Sequence, residues 1–169
     1  GDNLYANCVI ALKAATGQYV WHYQVVHHDL WDYDIPCQPN LVTVTHNDKR
    51  IDAVAQSTKM GHLFLLDRNT GKPLFPVEER PVPQSAIPGE ISSPTQPFPL
   101  KPPPYSKQSF TANDITDLNP AATKAVEDFI DEKNMLLGDV FIPPGIRPSI
   151  VMPQFNGGGE WGGAGYDPE

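Results

Sequence analysis

Apolar and polar positions over the first 75 residues fall into short runs, each closed by residues that favour turns. Residues 4–12 (LYANCVIAL) and 19–25 (YVWHYQV) are rich in β-branched and aromatic side chains. The intervening AATG predicts that they form a hairpin. Further strands are predicted at 41–46 (LVTVTH), 51–57 (IDAVAQS) and 62–67 (HLFLLD), with breaks at 47–50 (NDKR) and 59–61 (KMG). DRNTGKPLF then supplies another turn and a short strand.

Two of these turns align. ALKAATGQYVW (11–21) and LLDRNTGKPLF (65–75) share an apolar pair, a Thr-Gly at the same offset and an aromatic residue four positions after the glycine. Gly17 and Gly71 are 54 residues apart, and GYDPE (165–169) matches the start of a third copy. Repeated strand–turn–strand units mark a propeller or a solenoid. Two unrelated Thr-Gly hairpins would give the same local pattern.

The pattern changes over about 76–140, which reads as an insertion between repeats. Residues 76–106 hold a dense run of prolines and predict an extended loop in which few amides join a ladder. Residues 111–136 predict helix: Asn119 can cap it, Pro120 suits its first position, and Ala125, Phe129 and Ile130 share a face. A lid, a partner surface and a packing element all fit such an insert.

Composition narrows the class. Nineteen prolines and thirteen glycines in 169 residues favour loops and short elements, and 40 % hydrophobic content suffices for a core. The net charge is −8 and no basic cluster exceeds two adjacent residues, which excludes nucleic acid as the expected partner. Cys8 and Cys37 stand alone, without zinc or haem-attachment spacing, and a bridge between them is left open. No apolar run approaches the ~18 residues of a spanning helix, and no signal peptide opens the chain. GDNLYANCVIAL reads like the interior of a folded domain, so a fragment is expected.

The chemistry concentrates in HHDLWDYDIPCQP (27–39). His27, His28, Asp29, Asp32 and Asp34 are potential metal ligands, but neighbours on an extended chain point apart and no metal-binding spacing is present. A structural polar loop is the second reading. The third is a catalytic loop at a strand end, with an aspartate beside Trp31 as general base.

WHYQVVHHDLWDYDIPCQPNL (21–41) resembles the dehydrogenases that use pyrroloquinoline quinone, in particular the membrane-type glucose dehydrogenases. The likeness continues through SPTQPFPLKPPP (93–104) and GGGEWGGAGYDPE (157–169). It implies an all-β fold, a partial eight-bladed β-propeller of about three blades over 1–169, with tryptophan-docking repeats of the form AxDxxTGxxxW. Lys13 occupies the acidic position of the first repeat, and Phe75 the tryptophan position of the second.

The resemblance also implies roles. Asp32 would be the catalytic base that takes a hydroxyl proton while hydride passes to the quinone. Lys59, 27 positions later, would contact the quinone oxygens. His28 and Asp29 would support the loop and Trp31 would pack beneath it. Trp161 in GEWGG, and Asn156, would lie near the cofactor. Calcium would be held by residues outside this chain, so the chain would carry half a site. The implied reaction is oxidation of a sugar or alcohol, with a membrane quinone or a haem as electron acceptor, in the periplasm and with membrane association through other regions. Open blade edges would invite self-association. The alternative is a non-catalytic propeller that serves as a binding or scaffold module.

Overall fold

A computed structural model describes residues 1–168; Glu169, the last residue of GYDPE, lies outside them. Its seven strands form three antiparallel sheets, each short of a four-stranded blade. The first sheet pairs β1 (Cys8–Leu12) with β2 (Tyr19–Gln24). The second has the order β3 (Asn40–His46), β4 (Lys49–Ser57), β5 (Leu63–Asp67). A single bridge from Leu66 to Pro73 begins a fourth strand beside it. The third pairs β6 (Val77–Pro81) with β7 (Thr95–Pro99).

The predicted strands of the first 75 residues form near their expected positions, with corrections: β4 starts at Lys49, inside the predicted break at 47–50, and the short strand after DRNTG is reduced to the bridge at Pro73. Residues 4–7 are a turn and not the start of β1. Asn3 and Asn7 take φ of 57° and 51° there, a region that asparagine tolerates better than most residues.

The two aligned turns dock one repeat on the next. Trp21 lies over Gly71, where a Cβ would come within 2.5 Å of the indole, and its Nε1 donates to Arg68 O at 2.9 Å. Asp67 Oδ1 closes the Thr-Gly turn by accepting from the main-chain N–H groups of Asn69 and Thr70, both at 2.9 Å. Lys13 cannot accept these bonds, and its Nζ reaches across its own turn to Gln18 Oε1 instead.

The proline-rich segment departs from its expected loop. Leu100 N donates to Pro76 O at 2.9 Å and Val82 N to Pro94 O at 3.2 Å, so even-numbered residues make the cross-strand bonds. Pro81, Pro97 and Pro99 fall between them, where an N–H would face away from the partner strand. The ladder therefore forms despite the prolines.

The helical prediction over 111–136 also contracts. A 3-10 turn covers Ala112–Asp114, and α1 spans Pro120–Glu132. Asn119 caps α1, its side chain accepting from Ala122 N at 2.9 Å, and Pro120 is its first residue. Ala125 and Phe129 are exposed; Ala122, Val126 and Ile130 are half-buried, as is the neighbouring Thr123. This i, i+4, i+8 stripe marks the side that faces the protein.

One apolar cluster joins the first two sheets to the insertion. It includes Trp21, Trp31, Tyr33, Phe64, Leu66 and Phe141. His62 is buried at its rim, edge-on to Phe64 and Phe98. Burial lowers its pKa to about 4, against the acceptor oxygen of Gln108, which favours the protonated ring, while the charge of Arg80 acts with burial. Above pH 6.5 the ring is neutral folded or unfolded. As pH falls from 6.5 towards 4, only the unfolded chain takes the proton, so stability falls by on the order of 3 kcal/mol. Urea unfolding at pH 8, 6 and 4 should show this loss, and His62→Phe should remove most of it. An equal loss in both proteins would assign the acid sensitivity elsewhere.

Candidate active site

The loop after β2 is held from both ends. Gln96, buried on β7, mimics a paired peptide: its Oε1 accepts from His27 N at 2.8 Å and its Nε2 donates to His27 O at 2.6 Å. Asp29 Oδ1 accepts from Trp31 N at 2.8 Å, and its Oδ2 accepts from Asn7 Nδ2 at 3.1 Å. Asp29 thus fixes the turn that leads into Trp31.

The two histidines find separate partners. The His27 ring lies between Gln24 Oε1 at 2.6 Å and Glu79 Oε1 at 3.1 Å. His28, at φ 44°, turns its Nδ1 to Gly1 O at 2.8 Å. No group of three or more His, Cys, Asp or Glu side chains is placed to hold a metal ion among the described residues. Cys8 and Cys37 are free thiols.

Beyond Asp29 the sequence alternates Trp-Asp-Tyr-Asp, and the structure follows that alternation. Trp31 is 2 % exposed and donates from Nε1 to Ile142 O at 2.7 Å. Tyr33 stacks against it at 6.0 Å and donates its hydroxyl to Met152 O at 2.7 Å. Burial and then the charge of Asp29 push the Tyr33 phenol up, so it stays a neutral donor. Anchoring these two rings inside turns Asp32 and Asp34 outward, with side chains 75 % and 55 % exposed. Asp32 adopts φ 63°, within the left-handed region that aspartate populates.

Both carboxylates meet Lys59, whose side chain is only 11 % exposed. Its Nζ donates to Asp32 O at 3.0 Å, to Asp32 Oδ2 at 3.3 Å and to Asp34 Oδ1. Burial works against the lysine charge. The hydrogen bonds and charges of Asp34 and Asp32 outweigh it and raise the pKa, so the group stays an ammonium.

The backbone around Lys59 is held as closely. Tyr105 donates its hydroxyl to Thr58 O at 2.5 Å and accepts from Thr58 N at 3.0 Å. Gly158 N donates to Lys59 O at 2.7 Å, and Gly157, at φ 82°, leaves no room for a Cβ beside the Lys59 side chain. The glycine-rich segment thus packs on the lysine itself. Trp161 is 83 % exposed, and Asn156 is exposed two residues before Gly158.

Comparisons with known proteins give the family of the chain. A model of the family "PQQ: Glucose/ethanol/alcohol dehydrogenase, beta-propeller domain" matches residues 1–169. The chain belongs to this quinoprotein propeller family. It is 40 % identical over 170 residues to the quinoprotein glucose dehydrogenase of Gluconobacter oxydans, covering 98 % of this chain and 20 % of that protein. The corresponding glucose dehydrogenase of Escherichia coli is 36 % identical over 168 residues, with 97 % and 20 % covered. The quinate/shikimate dehydrogenase (quinone) of Acinetobacter baylyi is 38 % identical over 168 residues, with 99 % and 20 % covered. Among solved structures, a quinohemoprotein alcohol dehydrogenase of Pseudomonas putida HK5 superposes with a TM-score of 0.53 at 25 % identity, over 95 % of this chain and 18 % of that one. The chain therefore spans about a fifth of the length of these curated relatives.

As a segment of a quinoprotein propeller, the chain joins Asp32 to Lys59 across 27 residues, while His28 bonds to Gly1 O and Trp161 is exposed. The sequence reading missed Asp34 as the second partner of Lys59, and Gln96 and Tyr105 as braces. The Trp-Asp-Tyr-Asp alternation was a readable signal for Asp34. Nothing local marked Gln96 or Tyr105, whose partners lie 69 and 47 residues away.

Proposed function

We propose that this chain carries the proton-accepting half of the active site of a dehydrogenase that oxidises a sugar or alcohol hydroxyl with pyrroloquinoline quinone. One observation carries the reading: an exposed carboxylate, Asp32, sits beside a buried ammonium, Lys59, at the 3.3 Å contact of Nζ with Oδ2. Asp32 takes the proton of the substrate hydroxyl. Lys59 holds a fixed positive charge where negative charge develops during oxidation.

The donor set suits the quinone, because a buried ammonium beside solvent-open carboxylates can be offered to an oxygen-rich anionic ring system. When bound, pyrroloquinoline quinone supplies a two-electron acceptor for the hydride released from the substrate carbon. Lys59 is the residue of this chain that would hold it, with Asn156 and Trp161 as candidates nearby along the glycine-rich segment. Calcium belongs with the cofactor in this reading, and its ligands come from outside residues 1–169. The electron acceptor is a membrane quinone or a haem, and the location is the periplasm. No helix among the described residues is long and apolar enough to cross a membrane.

Two measurements test the reading. Titrating the full-length apoprotein with pyrroloquinoline quinone and calcium should produce a perturbed quinone absorbance together with hydroxyl oxidation. Absence of both would make the propeller a scaffold. Lys59→Ala should slow reduction of the quinone by substrate, seen in stopped flow, by about 10²–10³-fold, the range for losing one charge-stabilising donor. An unchanged reductive step would remove Lys59 from the chemistry.

A further inference from the structure

We infer that Asp34 is a positioning residue that keeps the Lys59 ammonium in place, so that Lys59 can redirect one N–H from Asp32 Oδ2 to an incoming oxygen. The inference rests on the assignment of Asp32 and Lys59 proposed above.

An ammonium has three N–H bonds to donate, and here each has one oxygen: Asp34 Oδ1, Asp32 O and Asp32 Oδ2. The three contacts are unequal. Asp34 Oδ1 is the nearest, and Asp32 O, at 3.0 Å, is a main-chain atom set by the left-handed turn at Asp32. Asp32 Oδ2, at 3.3 Å, is the longest and lies beyond the usual N–H···O range. The bond most easily given up is therefore the one that engages the base.

Giving it up has two effects. The third N–H becomes available to a new acceptor, and the Asp32 carboxylate is released from the ammonium to accept a proton. Both require Lys59 to stay where it is. Asp34 and the Asp32 carbonyl hold it on one side, and the Gly157–Gly158 backbone, packed against its stem, holds it on the other. Among the described residues, the ion pairs of Lys59 are those with Asp32 and Asp34. The Gly157–Gly158 segment brings no charge, and Tyr105 engages the main chain of Thr58. Without Asp34, the attraction between Lys59 and Asp32 has no competitor, and the ammonium closes on the base it should leave free.

The test uses the full-length protein as wild type, Asp34→Ala and Asp34→Asn. Apoprotein is labelled with trace acetic anhydride at pH 8, and the acetylation of Lys59 is measured by mass spectrometry against the exposed Lys72. Asp34→Ala should raise the relative labelling of Lys59 about tenfold, because the amine loses a charged partner and part of its protection. Asp34→Asn keeps an acceptor oxygen and should give a smaller rise. In quinone-loaded protein, Asp34→Ala should lower kcat about tenfold at unchanged KM, with Asp34→Asn between it and wild type. Unchanged labelling in both variants overturns the placement of Lys59 by Asp34. Altered labelling with unchanged kcat overturns its part in the reaction. A wild-type protein that oxidises no hydroxyl refutes the functional reading instead, and the labelling ratio still decides whether Asp34 holds Lys59.

Discussion

Asp32→Asn is expected to lower turnover by about 10²–10⁴-fold while the protein keeps its fold and its capacity to bind pyrroloquinoline quinone. The side chain is 75 % exposed and among the described residues its only hydrogen bond is the 3.3 Å contact with Lys59, so little packing depends on it. Asparagine also populates the left-handed region that the φ of 63° requires, and its amide oxygen can accept from Lys59. What it cannot do is take a proton from a hydroxyl. Steady-state kcat measured beside quinone absorbance separates these effects. Near-normal turnover in the variant would remove Asp32 as the base.

The largest expected effect on stability lies far from that chemistry. Trp21→Ala should cost about 3–5 kcal/mol, the range for deleting a large buried aromatic side chain. The indole covers Gly71 and bonds to Arg68 O, so it links the first hairpin to the turn of the second sheet. Its removal leaves a cavity between two repeats and an unpaired carbonyl. Trp21→Phe should lose less, since it keeps most of the packing and gives up the 2.9 Å hydrogen bond, about 1 kcal/mol. Denaturant unfolding of the two variants compares them directly. Equal losses would mean that the hydrogen bond, and not the packed ring, links the repeats.

The two results would probe different kinds of information. Gly17 and Gly71, and likewise Trp21 and Phe75, stand at matching offsets in two similar segments, so the repeat that carries the docking turn is visible in the sequence, while the docking of tryptophan on the next turn was implied by the resemblance. Asp32 and Lys59 became legible as a pair only through resemblance to a family. In isolation Lys59 reads as a solvated turn lysine, whereas it is buried on three oxygens. The proline-rich segment shows the converse. Its composition suggested an extended loop, yet Pro81, Pro97 and Pro99 sit at odd-numbered positions outside the cross-strand bonds, and Pro76 and Pro94 serve as acceptors. Proline content was visible; its phase relative to a partner strand was not. The helix behaved likewise, its cap readable at Asn119 but its buried face set by the surface on which it lies.

The sequence by itself determined the local elements, the docking repeat and the loop in which chemistry gathers. Period-two alternation, turn glycines and caps act over a few residues, and their physics is complete within that span. Tertiary structure decided which side chains face one another. It turned Asp32 and Asp34 outward by burying Trp31 and Tyr33 against Phe141 and Ile142, and it laid Gly157 along Lys59 to bring the lysine under both carboxylates. Those contacts join residues about 25 to 120 positions apart, and their energy exists only once the apolar core that holds them has closed.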